Sequence, residues 1–98
     1  MNSIEHFIDG KTLKGSSKRT AKVFNPATGD VSSNVNLASR ADLNKAVEVA
    51  KKAFPSWSQK TPLFRARILF KFKELIEKNY DELTKIIVSE HGKVYEDA

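Results

Sequence analysis

No cysteine occurs among the 98 residues, which excludes a disulfide framework, a thiolate metal centre and a cysteine nucleophile within them. No apolar run approaches the roughly 18 residues of a transmembrane helix. The opening MNSIEHFIDGK has neither a basic n-region nor an apolar h-region, and it is not an Arg-rich amphipathic leader. No signal or transit segment is therefore read, and a cytoplasmic address is the default expectation. Glycine is scarce: Gly10, Gly15, Gly29 and Gly92 stand too far apart to form a phosphate-cradling loop. The two histidines, His6 and His91, have no acidic or cysteine partner at metal-ligand spacing. Glu90 and His91 are adjacent, and neighbours on a helix point about 100° apart, so they read as helix-end residues rather than an acid–base pair.

The charge that is present leans basic. Seventeen Lys and Arg against twelve Asp and Glu give +5 and an isoelectric point near 9.6. That balance raises a nucleic-acid reading. The basic residues are spread along the chain, however, with acids between them. The densest group, Arg65, Arg67, Lys71 and Lys73, shares its helix with Glu74 and Glu77, as a solvated helical face does. Phe64, Phe70 and Phe72 read as core residues, which leaves no aromatics for base stacking.

The stretch Thr61 to Val88 is the most strongly patterned. Ile68, Leu69, Phe72, Leu75 and Ile76 recur at i, i+3 and i+4, with Phe64 one turn earlier. Thr61 fits an N-cap and Pro62 the first helical position. The pairs Glu74/Lys78 and Lys73/Glu77 have i,i+4 spacing. This helix is expected to dominate a core, since a chain of this length buries about 60–70% of its unfolded surface when it folds as one domain.

Upstream, Asp9-Gly10 between Phe7-Ile8 and Lys11-Thr12-Leu13 predicts a tight hairpin. Gly15 to Arg19 is a polar connection. Ala21 to Phe24 and Val31 to Leu37 predict antiparallel strands joined by the turn Asn25-Pro26-Ala27-Thr28-Gly29-Asp30. In the second strand Val31, Ser33, Val35 and Leu37 share one face. Ser39 and Asp42 match a capping box. The helix they open, with Leu43, Ala46, Val47, Ala50 and Phe54 on its apolar face, is expected to stop at Pro55. Trp57 then falls in a short linker. Asp81 and Glu82 open a third helix, which Gly92 ends, and residues 94–98 begin another element. The expected class is α+β: short antiparallel strands over residues 4–37, then three helices near 40–54, 62–78 and 80–91. By residue chemistry alone this unit has no self-contained active site.

Three ordered segments resemble the aldehyde dehydrogenase superfamily. They are Val23-Phe24-Asn25-Pro26-Ala27-Thr28-Gly29-Asp30-Val31 with the FIDGK hairpin before it, the capped helix ending near Ala53-Phe54-Pro55-Ser56-Trp57, and Glu90-His91-Gly92-Lys93. Within the superfamily, Arg65-Ala66-Arg67-Ile68-Leu69-Phe70-Lys71-Phe72 and the EHGK form are most similar to the methylmalonate-semialdehyde branch. The resemblance covers essentially the whole chain. It implies a parent enzyme that oxidises an aldehyde with NAD through a cysteine thioester. In this branch carbon dioxide is lost and coenzyme A takes the acyl group. Malonate and methylmalonate semialdehyde would be the substrates, giving acetyl-CoA and propionyl-CoA.

The same resemblance implies that residues 1–98 are an N-terminal segment, an incomplete part of the NAD-binding and oligomerisation region within a larger α/β fold. Having no cysteine and no strand–Gly–helix nucleotide site, the chain carries no catalytic residue and no NAD or coenzyme A contact of its own, and it is expected to be inactive alone. One site transfers by resemblance: a structural monovalent cation held by carbonyls at Val23 and Phe24 and by the Glu90 carboxylate, oxygen ligands suited to a hard cation. The plainer reading of Glu90 is a solvated helix-end acid. Partners implied are the remainder of the enzyme and homo-oligomer copies, with self-association of the isolated segment over its uncovered apolar stripe. No membrane partner is implied. The competing readings are a free-standing basic module for nucleic acid and a non-catalytic assembly subunit.

Overall fold

The turn at Asp9-Gly10 sets the first element pair. Both residues take positive φ, 57° and 70°, the conformation a two-residue type I′ turn demands. It joins β2 (His6–Ile8) to β3 (Lys11–Leu13) in antiparallel register, with Phe7 opposite Thr12. In this computed structural model, which describes Asn2 to Ala98, that hairpin stands apart from a second sheet of order β1-β5-β4. β4 (Thr20–Phe24) and β5 (Val31–Asn36) pair antiparallel as expected. Their turn is held by Asn25 N–H to the Asp30 carbonyl (2.8 Å), Gly29 N–H to the Asn25 carbonyl (2.7 Å) and Ala27 N–H to the Asn25 side chain (2.9 Å).

Two features of this sheet were not legible. β1 (Asn2–Ile4) lies parallel to β5, pairing Asn2 with Ser33 and Ile4 with Val35. Three residues with one apolar side chain carry no alternation to detect. The register also shifts beside Val23, leaving Ser32 without an opposite residue, so it acts as a bulge. Its hydroxyl donates to the Val23 carbonyl at 3.1 Å. Ser33, in the middle of the central strand, is 8% exposed.

The helices are α1 (Arg40–Ser58), α2 (Pro62–Lys78) and α3 (Tyr80–His91), followed by a 3-10 turn at Tyr95–Asp97. The capping box at the start of α1 forms as read: Asp42 N–H donates to Ser39 Oγ at 3.1 Å, and Ser39 N–H to the Asp42 carboxylate at 2.9 Å. The expectation that Pro55 ends α1 is wrong. The helix runs on to Ser58 and includes Trp57, which is therefore no linker residue. Proline removes one ladder donor, but the following turn closes on its own: Gln59 N–H reaches the Pro55 carbonyl at 3.2 Å, and Ser58 Oγ donates to it at 3.0 Å. Thr61 caps α2 through Phe64 N–H at 3.2 Å. Asn79 serves both ends of the next joint, but its side chain donates to the Leu75 carbonyl at 2.8 Å, so α3 has no side-chain cap. Gly92, at φ 80°, ends α3.

The expected core is absent. No hydrophobic side chain among the described residues is buried, and the only buried residues are Ser33 and Thr84. Thr84 satisfies its hydroxyl on the Tyr80 carbonyl at 2.8 Å. The Cα extents are 48 × 38 × 15 Å and the radius of gyration is 17.3 Å, against about 13 Å for a compact chain of this length. The accessible surface, 8219 Å², exceeds the roughly 5,600 Å² of a folded 11 kDa protein and leaves only about half of the unfolded surface covered. The elements thus form one layer, and a helix or sheet face needs a second layer to be hidden. The stripe of α2 exists as a pattern but faces nothing.

Substitution of the internal proline checks this reading of α1. Pro55→Ala supplies the missing N–H to the Lys51 carbonyl and is expected to raise stability by up to about 3 kcal/mol. Backbone chemical shifts should still place the end of α1 at Ser58; an extension of the helix by a turn would show that Pro55 had been its stop.

Candidate functional site

The best-formed concavity lies where the β2–β3 hairpin meets the start of α1. About 280 Å³ is lined by His6, Ile8 and Leu13 from the hairpin, Gly15 and Ser16 from the loop after it, and Asp42 of α1, with Lys14 and Lys45 at its sides. Asp42 organises it. Its carboxylate accepts Ser39 N–H at 2.9 Å within the capping box, and Ser16 N–H at 3.1 Å on each oxygen. The Ser16 and Ser39 hydroxyls lie 2.6 Å apart. These N–H donors stabilise the charged form and lower the Asp42 pKa from 3.8 to about 2, the Ser39 backbone contributing most and the Ser16 backbone next. His6 Nε2 is buried here without a hydrogen-bond partner.

Gly15 closes this joint and has no room for a side chain. At φ +82° an added Cβ would stand 2.7 Å from His6 Nε2 and 2.8 Å from Asp42 Oδ2. The sequence showed the Ser39-x-x-Asp42 box but carried no sign that Asp42 also holds Ser16, because that bond spans 26 residues. Chemically the arrangement is a latch between hairpin and helix. Among the described residues no group of three His, Cys, Asp or Glu converges as a metal site.

The three residues singled out for a cation lie on two elements, β4 and α3. Val23 is half-buried on β4, Phe24 is exposed at its end, and Glu90 is exposed on the last turn of α3. Gly92 lies against the turn after β4: a Cβ there would sit 3.2 Å from Pro26 Cγ. The Asn-Pro turn and the EHGK segment, 66 positions apart at Pro26 and Gly92, therefore meet. The Val23 carbonyl already accepts the Ser32 hydroxyl, and Val23 is also paired with Ser33 in the β4–β5 ladder.

The basic helix is partly neutralised. Lys73 pairs with Glu77 at 3.3 Å as its spacing predicted; Glu74 pairs with Lys71 at 3.5 Å rather than with Lys78. All four side chains are more than 60% exposed, so these pairs add little stability. They do match a solvated face better than a phosphate track. Arg65 departs from that face: it is half-buried and its Nε has no partner. At the other end of the chain, Tyr95 donates to Asp81 at 2.6 Å and Lys85 pairs with the same carboxylate at 2.7 Å. Lys85 first and Tyr95 second hold Asp81 below the usual carboxylate range, while Asp81 raises both partners. The 3-10 turn is thereby tied to the first turn of α3.

The latch should open in acid. Asp42 has a depressed folded pKa, so its contribution is fully present above about pH 3.8 and is lost as pH falls toward 2. The Ser16 and Ser39 amide signals are expected to shift together over that window in NMR spectra of the native chain, and to lose this titration in Asp42→Asn. Gly15→Ala is expected to destabilise by about 1–3 kcal/mol, read by thermal melting.

Comparison with known proteins agrees with the segments named above. The model of the aldehyde dehydrogenase family matches residues 13–98. Malonate-semialdehyde dehydrogenase of Pseudomonas aeruginosa is 42% identical over 98 residues, covering 100% of this chain and 20% of the relative. The protein of the same name from Halalkalibacterium halodurans is 43% identical over 96 residues, 97% of this chain and 20% of its own length. Among solved structures, a methylmalonate-semialdehyde dehydrogenase of Oceanimonas doudoroffii superimposes with a TM-score of 0.92 at 42% identity, over 99% of this chain and 20% of that one. A Sinorhizobium meliloti protein assigned to the same activity and complexed with NAD gives 0.93 at 48% identity, again over 99% and 20%. The chain thus spans about a fifth of the length of the relatives it matches. With all but its first twelve residues inside the family model and its strands and helices superimposing on those solved enzymes, the chain belongs to the aldehyde dehydrogenase family.

Proposed function

We propose that this chain is the N-terminal segment of an NAD-dependent, CoA-acylating dehydrogenase of malonate and methylmalonate semialdehyde, and that its contribution there is structural. The observation that carries the reading is the end-to-end match, 42% identity to a malonate-semialdehyde dehydrogenase with every residue of this chain aligned. NAD, which is present in the Sinorhizobium meliloti structure, supplies hydride acceptance, and coenzyme A supplies the acyl acceptor. No residue of this chain is assigned to either. The absent cysteine leaves the chain without the thiolate that the reaction needs. Its own residues shape a scaffold: the Asp42 latch fixes the hairpin on α1, and Gly92 with Pro26 fixes the end of α3 on the strand turn. The exposed stripes of the helices are surfaces for the rest of such an enzyme, including its dinucleotide domain and oligomer contacts. A cytoplasmic address belongs to the same reading; no helix among the described residues is long and apolar enough to cross a membrane.

In the complete enzyme the Val23 and Phe24 carbonyls and the Glu90 carboxylate would hold a monovalent cation, whose role is to join the strand turn to the end of α3. The approach of Gly92 to Pro26 supports that placement.

Replacing the matching fifth of the Pseudomonas aeruginosa enzyme with this chain tests the function. The chimera is expected to reduce NAD with methylmalonate semialdehyde and coenzyme A, while this chain alone produces no NADH. A folded chimera without activity would remove the assignment. In the same chimera, sodium or potassium should raise the melting temperature and Glu90→Ala should abolish that response. Equal insensitivity of both proteins would exclude the cation.

A further inference from the structure

Of the two histidines, His91 is exposed and His6 is half-buried. His6 Nε2 is shielded from water and has no hydrogen-bond partner among the described residues, a state that forgoes the bonds it would make in solvent. The hairpin, the loop after it and α1 build this joint, so it owes nothing to the open helical stripes. A Cβ on Gly15 would lie 2.7 Å from His6 Nε2 and 2.8 Å from Asp42 Oδ2. Those two atoms are therefore at most about 5.5 Å apart, inside the roughly 4–6 Å over which an opposite charge favours ionisation. Any side chain at residue 15 would crowd both of them; glycine leaves the space open. Asp42, with its pKa near about 2, is an anion at every pH above about 4. The other charged groups around the concavity are Lys14, after β3, and Lys45, one turn along α1. Both lysines are exposed, so water and salt screen their repulsion of a cation at His6. Asp42 is half-buried and Nε2 is shielded, so their attraction is screened less.

We propose that His6 is a proton-sensitive clasp, whose imidazolium is drawn to the Asp42 carboxylate and holds the β2–β3 hairpin more firmly on α1. Proton uptake puts an N–H on both ring nitrogens, and the unpartnered Nε2 becomes a charged donor with a carboxylate close by. The folded chain thus favours the protonated imidazole. Its contribution is present in mild acid and is lost as pH rises through the histidine range, about pH 5 to 8. On the acid side the clasp ends with Asp42 itself, as pH falls toward 2. Hairpin docking is therefore firmest between those two ranges. The whole chain pulls the other way: it already carries +5, and each added proton increases its self-repulsion. Tightening in mild acid needs a local cause, and the His6–Asp42 joint supplies one. The clasp is independent of the dehydrogenase reading.

Limited proteolysis reads the opening of the joint. The Lys14 carbonyl accepts Asn36 Nδ2 at 3.1 Å, so trypsin cleaves after Lys14 only when this loop opens. Cleavage of that bond is followed by mass spectrometry in the native chain and in His6→Gln, at about pH 8 and about pH 5.5. The ratio of the two rates cancels both the pH dependence of trypsin and the titration of His91. Relative to His6→Gln, the native chain should be cut at least about threefold more slowly at the lower pH than at the higher. With Asp42→Asn in both chains, the ratio should no longer depend on pH. A ratio equal at the two pH values would overturn the proposal. So would faster relative cutting in acid, which would mean that Lys14 and Lys45 outweigh Asp42, or a pH effect that survives Asp42→Asn. The native chain alone gives a second readout. Its Ser16 amide, bonded to Asp42, should shift in NMR spectra between the same two pH values, and a signal that stays still there would equally overturn the clasp.

Discussion

A single layer about 15 Å thick governs everything else in this molecule. Side chains on either side of such a layer meet solvent, so the hydrophobic effect, normally the largest favourable contribution to folding, acts only weakly within the chain. What remains is local and polar. Helix ends are satisfied by Ser39, Asp42, Thr61 and Gly92, and the strand turn by Asn25 and Thr28. Beyond the ladder that joins β1 to β5, long-range order rests on a few contacts, chiefly Asp42 to Ser16, Pro26 against Gly92, and Tyr95 to Asp81. Each restrains backbone that the apolar contacts leave free.

Chemistry and architecture agree on this point. The 98 residues hold no cysteine and no glycine-rich phosphate loop. They hold instead surfaces shaped to meet other surfaces: amphipathic helices with their stripes open, a three-stranded sheet with β1 and β4 at its edges, and a separate hairpin. Edge strands and open stripes in an isolated chain promote association. The same features in a longer polypeptide are where further layers would pack.

The fold was largely legible because its elements are set by local rules. The Asp9-Gly10 turn, the Ser39–Asp42 box, the Thr61-Pro62 start and the Gly92 stop each depend on residues within a few positions, and each formed as read. Where a local rule failed, a local compensation explains it: Pro55 lost one hydrogen bond, and the turn beginning there closed through Ser58 and Gln59. The Glu74–Lys78 pairing failed for a similar reason, since Lys71 lies one turn away on the other side and reached Glu74 instead.

From sequence alone came the element types, their order, the missing thiolate and the family resemblance, because periodicity, capping and motif order are properties of neighbouring residues. Only the tertiary structure decided that β1 joins β5 in parallel, that Asp42 latches a loop 26 residues away, and that Arg65 Nε is shielded and unpaired. It also decided the largest question, whether the patterned stripes make a core. Amphipathic spacing says which face seeks burial; burial itself needs a second surface, and within one 98-residue layer that surface is not available.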